Sequence, residues 1–255
     1  MSTNSFSVRH PYIFVVLLLL TVVVMGFVAV VVAEVANLSV VVYWSGMSVV
    51  LALIGAVLLT RLGWWHRVGF RRSKRPGLHF LLWLPLCPIL IWNLSQIQVA
   101  ELVSPGRALV WLGVTAIAAF VEEVFYRGLM IRALEPRGLW KAARVPALLF
   151  GATHVFNGLS GFDWGIVAGQ VVYATAIGFA YSAYTLRTGL LWPVILVHTL
   201  ANFADLIDQE VLVQGDSPGQ ADLIRWLIYA VFFICYGIWM LRRTTPSPSH
   251  SDQNG

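Results

Sequence analysis

Long apolar segments run along almost the whole chain and constrain its fold more than any other feature. The 255 residues are 58% hydrophobic and 11% charged, with a mean hydropathy of +0.77. A soluble domain typically has about a quarter of its residues charged. A helix that spans a bilayer needs about 20 predominantly apolar residues. The composition therefore predicts an integral membrane protein that is all-α.

Eight segments are candidates for membrane-spanning helices, and the fifth of them is short. They leave little of the chain for a soluble domain. Residues 1–243 are therefore predicted to form one transmembrane helical domain, followed by a disordered polar tail at 244–255. The predicted segments are 12–33, 40–60, 78–99, 107–131, 142–157, 164–186, 189–208 and 223–241.

The basic residues divide the predicted loops into two sets, and this division supports the count of eight. If the N-terminus is cytoplasmic, only Arg107 and Arg225 of the 17 lysines and arginines fall outside, as the positive-inside rule requires. Both termini are thus predicted to be cytoplasmic, and the membrane is the plasma or inner membrane if the source is bacterial. The net charge of +5 is then explained by basic loops that face anionic lipid headgroups on the cytoplasmic side, and no nucleic-acid partner is expected.

Two adjacent glutamates, Glu122 and Glu123, interrupt the fourth apolar segment. A charged side chain near the centre of a spanning helix costs roughly 2.5–3.5 kcal/mol, so such groups are expected to face a polar cavity and to serve chemistry or transport. His154 and His198, on two other segments, lie at a similar predicted depth. Three helices therefore bring ionisable groups to one level, which predicts a membrane-embedded site.

Helical geometry separates the predicted roles of the two glutamates, because successive residues on an α-helix point about 100° apart. Glu123 and Arg127 form an i,i+4 pair with the acid first, which favours a structural ion pair. Glu122 is then left to face the cavity alone, where a carboxylate can act as a general base.

Two further i,i+4 pairs add polar and aromatic groups to the predicted site. His198 and Asn202 share a helix face, and together they suit the polarisation of a carbonyl and the stabilisation of an oxyanion. Phe150 and His154 repeat the spacing, so the phenyl ring is expected to wall the pocket beside the imidazole. Structural roles stay open: a histidine can bond a backbone carbonyl, Arg127 can anchor at the interface, and an asparagine can join helices.

Three short motifs, in this order on successive segments, resemble the CAAX protease and bacteriocin-processing family of intramembrane endopeptidases. That family includes the Ras-converting CAAX endoprotease. The resemblance covers roughly 107–208, the catalytic core of the family. Each motif is weak alone, and the three in order are specific. They are EExxxR from Glu122 to Arg127, FxxxH from Phe150 to His154, and HxxxN from His198 to Asn202.

The resemblance implies an intramembrane endopeptidase of the glutamic type. In the family's terms Glu122 activates a water and His154 assists it. His198 and Asn202 correspond to the residues that stabilise the tetrahedral oxyanion, while the predicted glutamate–arginine ion pair supports the site. The implied substrate is a membrane-anchored or lipidated peptide or protein, prenylated in part of the family. The site is expected to open toward the cytoplasm or into the inner leaflet of the lipid bilayer, where such a substrate could enter sideways.

Other interpretations of the same residues stay open. Two histidines and two carboxylates can bind Zn²⁺, but HExxH is absent and no two histidines share a helix face at ligand spacing, so no metal or other cofactor is predicted. A GxSG sequence around Ser160 is typical of a rhomboid-like serine protease, but it leaves the glutamates unexplained. A proton-coupled transporter also uses carboxylates and histidines, and a non-catalytic immunity or scaffold protein would keep the fold without the chemistry.

Overall fold

The computed structural model describes residues 6–37, 40–96, 104–159, 163–211 and 220–244, and every regular element within these ranges is helical. The predicted all-α class is confirmed. Ser160 and the predicted polar tail beyond Thr244 lie outside the described residues.

Within the described ranges, the helices follow one another through short turns and three stretches that are not α-helical. Two are 3₁₀ turns, Leu84–Leu86 and Glu135–Arg137, and one is a π-helix, Glu123–Met130. The described α-helices are α1 (Phe6–Arg9), α2 (Pro11–Ala36), α3 (Val40–Leu62), α4 (Trp65–Val68), α5 (Pro76–Trp83), α6 (Pro88–Gln96), α7 (Pro105–Glu122), α8 (Ile131–Leu134), α9 (Leu139–Thr153), α10 (Phe156–Leu159), α11 (Trp164–Thr188), α12 (Trp192–Val211) and α13 (Gln220–Arg242).

Within the described ranges, five helical stretches are long and apolar enough to cross a membrane, and a bent pair makes six if it forms one span. The chain is therefore a multi-pass integral membrane protein. Each of the eight predicted segments contains a helix, but α9 and α12 are not among the stretches that meet this test, so eight crossings stay a prediction. The five stretches are Pro11–Ala36, Ser45–Leu62, Pro105–Arg137, Trp164–Thr188 and Leu223–Arg242.

The third predicted segment is a broken helix. Its two halves, α5 and α6, are bent by 57° relative to each other. Pro85 lies in the 3₁₀ turn between them and Pro88 begins α6. Proline lacks a backbone N–H and its ring clashes with the preceding turn, so it ends or kinks a helix but is tolerated in the first turn of a new one. The two prolines therefore account for the break.

The buried centre of the bundle is α11, which packs along α9 and α13. Every residue from Ala176 to Leu186 is buried, and several of them are glycine or alanine, which lets neighbouring backbones approach closely. The helix α12 packs mainly against α7 and α6. This contact between α7 and α12 sets the histidine of one helix beside the glutamates of the other.

Candidate active site

The predicted site residues come from three neighbouring parts of the bundle. One part is the end of α7 with the π-helix that continues it, and it carries both glutamates and the arginine. The second is the end of α9, which carries Phe150 and is followed by His154. The third is α12, which carries His198 and Asn202.

His198 lies between the two glutamates and contacts both of them. Its Nδ1 is 2.8 Å from Glu123 Oε1, and its Nε2 is 3.4 Å from Glu122 Oε2. Because a carboxylate oxygen accepts, Nδ1 donates to Glu123. One imidazole therefore joins the adjacent carboxylates. The two differ in exposure, with Glu122 37% exposed and Glu123 fully buried.

The local backbone helps to explain how one imidazole reaches both side chains. The α-helix ends at Glu122, and the π-helix begins at Glu123. A π-helix is wider than an α-helix, with i→i+5 hydrogen bonds, so successive side chains turn through a smaller angle than in an α-helix. The two ring nitrogens lie on different edges of the imidazole and meet one carboxylate each. Single π-helical turns are frequent at functional sites.

Glu123 and Arg127 form the predicted ion pair, with Nη1 of the arginine 3.1 Å from Oε1 of the glutamate. Both side chains are fully buried. The prediction of this pair is confirmed. Oε1 of Glu123 thus accepts from two donors, the guanidinium and His198 Nδ1, while its Oε2 and the arginine Nε and Nη2 have no hydrogen-bond partner among the described residues.

Three aromatic rings surround the guanidinium of Arg127. Its Cζ lies 4.1 Å from the ring centre of Phe150, 5.7 Å from that of Tyr181 and 5.8 Å from that of Tyr126. A cation over an aromatic face gains about 2 kcal/mol or more when it is desolvated. The rings therefore compensate for the few hydrogen bonds that this buried cation makes.

Tyr126 and Tyr181 belong to the site but were not predicted. Tyr126 lies inside the EExxxR motif, and its hydroxyl donates to Thr153 Oγ1 at 3.4 Å, which links the π-helix to α9. Its place beside the arginine in the motif was a usable signal. Tyr181 comes from α11, where its ring centre lies 5.9 Å from that of His198, and nothing in the local sequence indicated this contact.

The ring of Phe150 packs against both histidines. Its ring lies edge-to-face to His154, with centres 5.0 Å apart, and edge-to-face to His198, with centres 6.2 Å apart. The predicted contact between Phe150 and His154 is confirmed. The Nδ1 of His154 lies 2.9 Å from the carbonyl oxygen of Phe150 and donates to it, because a carbonyl only accepts. The other nitrogen, Nε2, is then an acceptor in the neutral ring.

Asn202 lies one helical turn beyond His198 on α12 and is half-buried. The shared face that the i,i+4 spacing predicts follows from the unbroken α-helix in this region. Its role in an oxyanion site stays a prediction.

A metal site is not preformed among the described residues, where no three His, Cys, Asp or Glu side chains are arranged to hold an ion. The arrangement of Glu122, Glu123 and His198 gives the geometric reason. The imidazole presents a different nitrogen to each carboxylate, so an ion at one nitrogen is separated by the ring from the carboxylate at the other.

The comparisons with known proteins give one family match. Residues 104–204 match the model of the family described as Rce1-like, type II CAAX prenyl endopeptidase. No curated protein and no solved structure matches the chain. The matched range runs from the residue before α7 into α12, and it contains all three motifs of the site.

Proposed function

We propose that the protein is an intramembrane endopeptidase of the glutamic type, since residues 104–204 match the model of the Rce1-like type II CAAX prenyl endopeptidase family, which implies a protease. The observation that carries this proposal is the unequal environment of the two glutamates. Glu123 is fully buried and its Oε1 accepts from two cations or potential cations, whereas Glu122 is 37% exposed beside His198.

Glu122 is the proposed general base. A base must be reachable by the water that it deprotonates, and of the two carboxylates only Glu122 is accessible. Glu123 cannot take a proton at Oε1 without weakening its bonds to Arg127 and His198. It therefore serves to position His198, which in turn positions Glu122.

His154 is the proposed assistant of Glu122. Its Nδ1 proton is committed to the carbonyl of Phe150, so Nε2 of the neutral imidazole can accept a hydrogen bond from the water. A histidine with a purely structural role would make the same bond to the Phe150 carbonyl. Only if His154 assists Glu122 does activity depend on its imidazole.

The proposed reaction is the hydrolysis of one peptide bond. Glu122 takes a proton from water, and the hydroxide oxygen bonds to the carbonyl carbon. In its protonated form, with the Nδ1 proton held by Glu123, His198 donates from Nε2 to the oxyanion that forms, and the Asn202 amide donates to it as well. When the tetrahedral intermediate collapses, the C–N bond breaks, the proton passes to the leaving amine, and a carboxylic acid is released.

The proposed substrate is a membrane-associated peptide or protein, including lipidated and prenylated ones. The site residues lie on or beside helices of a multi-pass membrane protein, so the substrate must reach them from the membrane or its surface. We place both termini and the basic loops on the cytoplasmic side, with eight crossings, because only Arg107 and Arg225 of the lysines and arginines then lie outside.

The test compares wild type with Glu122→Gln, each reconstituted in liposomes with a mixed pool of prenylated C-terminal peptides and single-span helices. Products are read by mass spectrometry, with and without a strong chelator. The matched control is Glu135→Gln, since Glu135 pairs with Arg132 at 2.9 Å outside the site. The proposal expects cleavage by wild type and by the control, no cleavage by Glu122→Gln, and no effect of the chelator.

Two results would overturn the proposal. Cleavage that the chelator abolishes would assign the same residues to a metal site. Wild type that cleaves nothing in the pool but carries a pH-driven proton flux would support the transporter, in which carboxylates and histidines relay protons.

A further inference from the structure

We propose that a groove between α5 and α12 binds an anionic phospholipid, with an acyl chain in the groove and the phosphate at the basic loop that precedes α5. Binding at this groove does not depend on the proposed peptidase function. The lining of the groove, the charges beside its end and the contacts that hold it in shape support this binding.

The groove is an apolar cavity of about 290 Å³ at the start of α12, lined largely by aromatic side chains. Trp83 and Tyr184 form part of its inner wall. Phe80, Trp192 and Leu196 line it too and are 55%, 45% and 43% exposed, so the groove opens on the outer surface of the bundle. In a bilayer that surface meets lipid, and an open apolar groove there accepts a hydrocarbon chain.

The loop beside one end of the groove is strongly basic. Ser73 and His79 line it, with Oγ of the serine 2.7 Å from Nδ1 of the histidine. Next to Ser73 in sequence are Arg72, Lys74 and Arg75, which are all exposed. The sequence holds no aspartate or glutamate between positions 61 and 100. This end therefore complements an anionic headgroup.

Three hydrogen bonds hold the basic loop and α5 against the end of α11, the turn that follows it and the start of α12. Arg71 Nε donates to the carbonyl oxygen of Gly189 at 2.9 Å. Trp83 Nε1 donates to the carbonyl oxygen of Pro193 at 2.8 Å, and the Tyr184 hydroxyl donates to that of His79 at 3.2 Å. Contacts within the protein therefore hold the loop that carries the basic residues beside the groove.

A phospholipid fits these features better than the lipid chain of a substrate. A neutral isoprenoid or acyl chain on a peptide uses the apolar groove but leaves the three exposed basic residues without a partner. A phosphodiester beside an acyl chain uses both. The groove also borders the helix of the candidate site, because Leu196 lies two residues before His198 on α12.

The experiment measures binding of phosphatidylglycerol and phosphatidylcholine to the delipidated full-length protein in detergent, by native mass spectrometry and by the thermal unfolding midpoint. Phosphatidylglycerol is expected to bind about tenfold more tightly or better, since each basic residue near an anionic headgroup contributes about fivefold. The triple variant Arg72→Gln/Lys74→Gln/Arg75→Gln is expected to lose this preference.

Two further variants separate the groove from charge in general. The matched control Arg137→Gln/Lys141→Gln/Arg144→Gln neutralises three exposed basic residues elsewhere and is expected to keep the preference. Leu196→Trp fills the groove and is expected to weaken binding of both lipids. Inorganic phosphate alone is expected to give no stabilisation, because it cannot use the apolar groove.

Four outcomes overturn the proposal. Equal binding of the two lipids by wild type would show that the basic loop does not recognise the headgroup. An equal loss of the phosphatidylglycerol preference in the two triple variants would show that the preference depends on overall charge and not on this loop. Stabilisation by inorganic phosphate equal to that by phosphatidylglycerol makes it a phosphate site. Displacement of phosphatidylglycerol by an uncharged farnesylated peptide, at a concentration near its own binding constant, makes the groove a substrate site.

Discussion

At the scale of single residues, the site depends on a buried ion pair whose members compensate each other. Removing one partner of such a pair leaves an unpaired buried charge and costs roughly 3–5 kcal/mol, whereas replacing both with apolar groups is often neutral. Arg127 is fully buried with Glu123 and has three aromatic rings around it. Stability and activity should therefore respond differently to single and double substitution.

We expect Arg127→Met to lower the free energy of unfolding by about 3–5 kcal/mol, because it leaves the Glu123 carboxylate without its cation. The double variant Glu123→Leu/Arg127→Met should recover most of the stability but no peptidase activity, because His198 loses the acceptor for its Nδ1. Thermal unfolding in detergent and a cleavage assay measure the two effects. Arg137→Met, at an exposed arginine, is the control, and recovery of activity in the double variant would contradict this account.

Asn202 gives a second prediction at this scale. If its amide donates to the oxyanion, Asn202→Ala should lower kcat by about 10²–10³ and leave KM nearly unchanged, because the bond is made only in the transition state. Steady-state kinetics in proteoliposomes measure both constants. A kcat within threefold of wild type would show that Asn202 does not take part in the mechanism. This is the result expected if Asn202 serves only to pack helices together.

The sequence predicted some residue contacts because they are local. The pairs Glu123–Arg127 and Phe150–His154 are four residues apart, and this spacing alone places their side chains together. The bridge from His198 to both glutamates spans 75 residues and depends on how α12 packs against α7. The contact between Tyr181 and His198 could not be predicted for the same reason. Tertiary contacts of this kind leave no periodic signal in a single sequence.

At the scale of helices, the close approach of α11 to the π-helix and α9 depends on Gly178. A Cβ at this position would lie 2.7 Å from Arg127 Nη2 and 3.2 Å from Phe150 Cδ1. A larger side chain here would force the guanidinium, the phenyl ring or α11 itself to shift. The glycine therefore allows α11 to pack against the buried arginine.

We expect Gly178→Ala to destabilise the protein and to reduce activity, because α11 or the guanidinium has to move. Overpacking of this kind typically costs about 1–3 kcal/mol. Gly113→Ala is the matched control on α7, where a Cβ meets nothing within 4 Å and the helix should become slightly more stable. Equal unfolding midpoints for the two variants would contradict the packing described here.

Some features of the helices have a local signal in the sequence, and others have none. The break between α5 and α6 coincides with Pro85 and Pro88, so its position was available from the prolines although the segment was predicted as one span. The π-helix from Glu123 to Met130 has no comparable signal, since it contains neither proline nor an insertion that a single sequence reveals. Its presence changes which side chains share a face.

At the scale of the whole molecule, the orientation in the membrane follows from the loop charges. In a variant with Cys87→Ala and Cys235→Ala, a single cysteine at Glu34 should react with an impermeant maleimide added outside intact cells. A single cysteine at Lys141 should react only after the cells are opened. Both positions are exposed. The opposite labelling pattern would contradict the positive-inside assignment.

Composition predicted a multi-pass helical protein because hydropathy is a property of whole segments and averages over local detail. The number of crossings is harder to predict. The helix α9 has only 15 residues, and α12 carries acidic residues near its end, so neither resembles a complete spanning helix although both contribute to the candidate site. Polar groups that serve a buried site lower the hydropathy of the helices that carry them.

The central claim, that Glu122 is the general base, is tested most directly by kcat/KM of Glu122→Gln on a peptide that wild type cleaves, with folding checked by the unfolding midpoint. The substitution keeps the size of the side chain and removes its basicity. A general base contributes about 10²–10⁴ in rate, so we predict a loss of at least about 100-fold, with Glu135→Gln unchanged and no effect of a chelator on wild type. A Glu122→Gln enzyme within threefold of wild type would contradict the account.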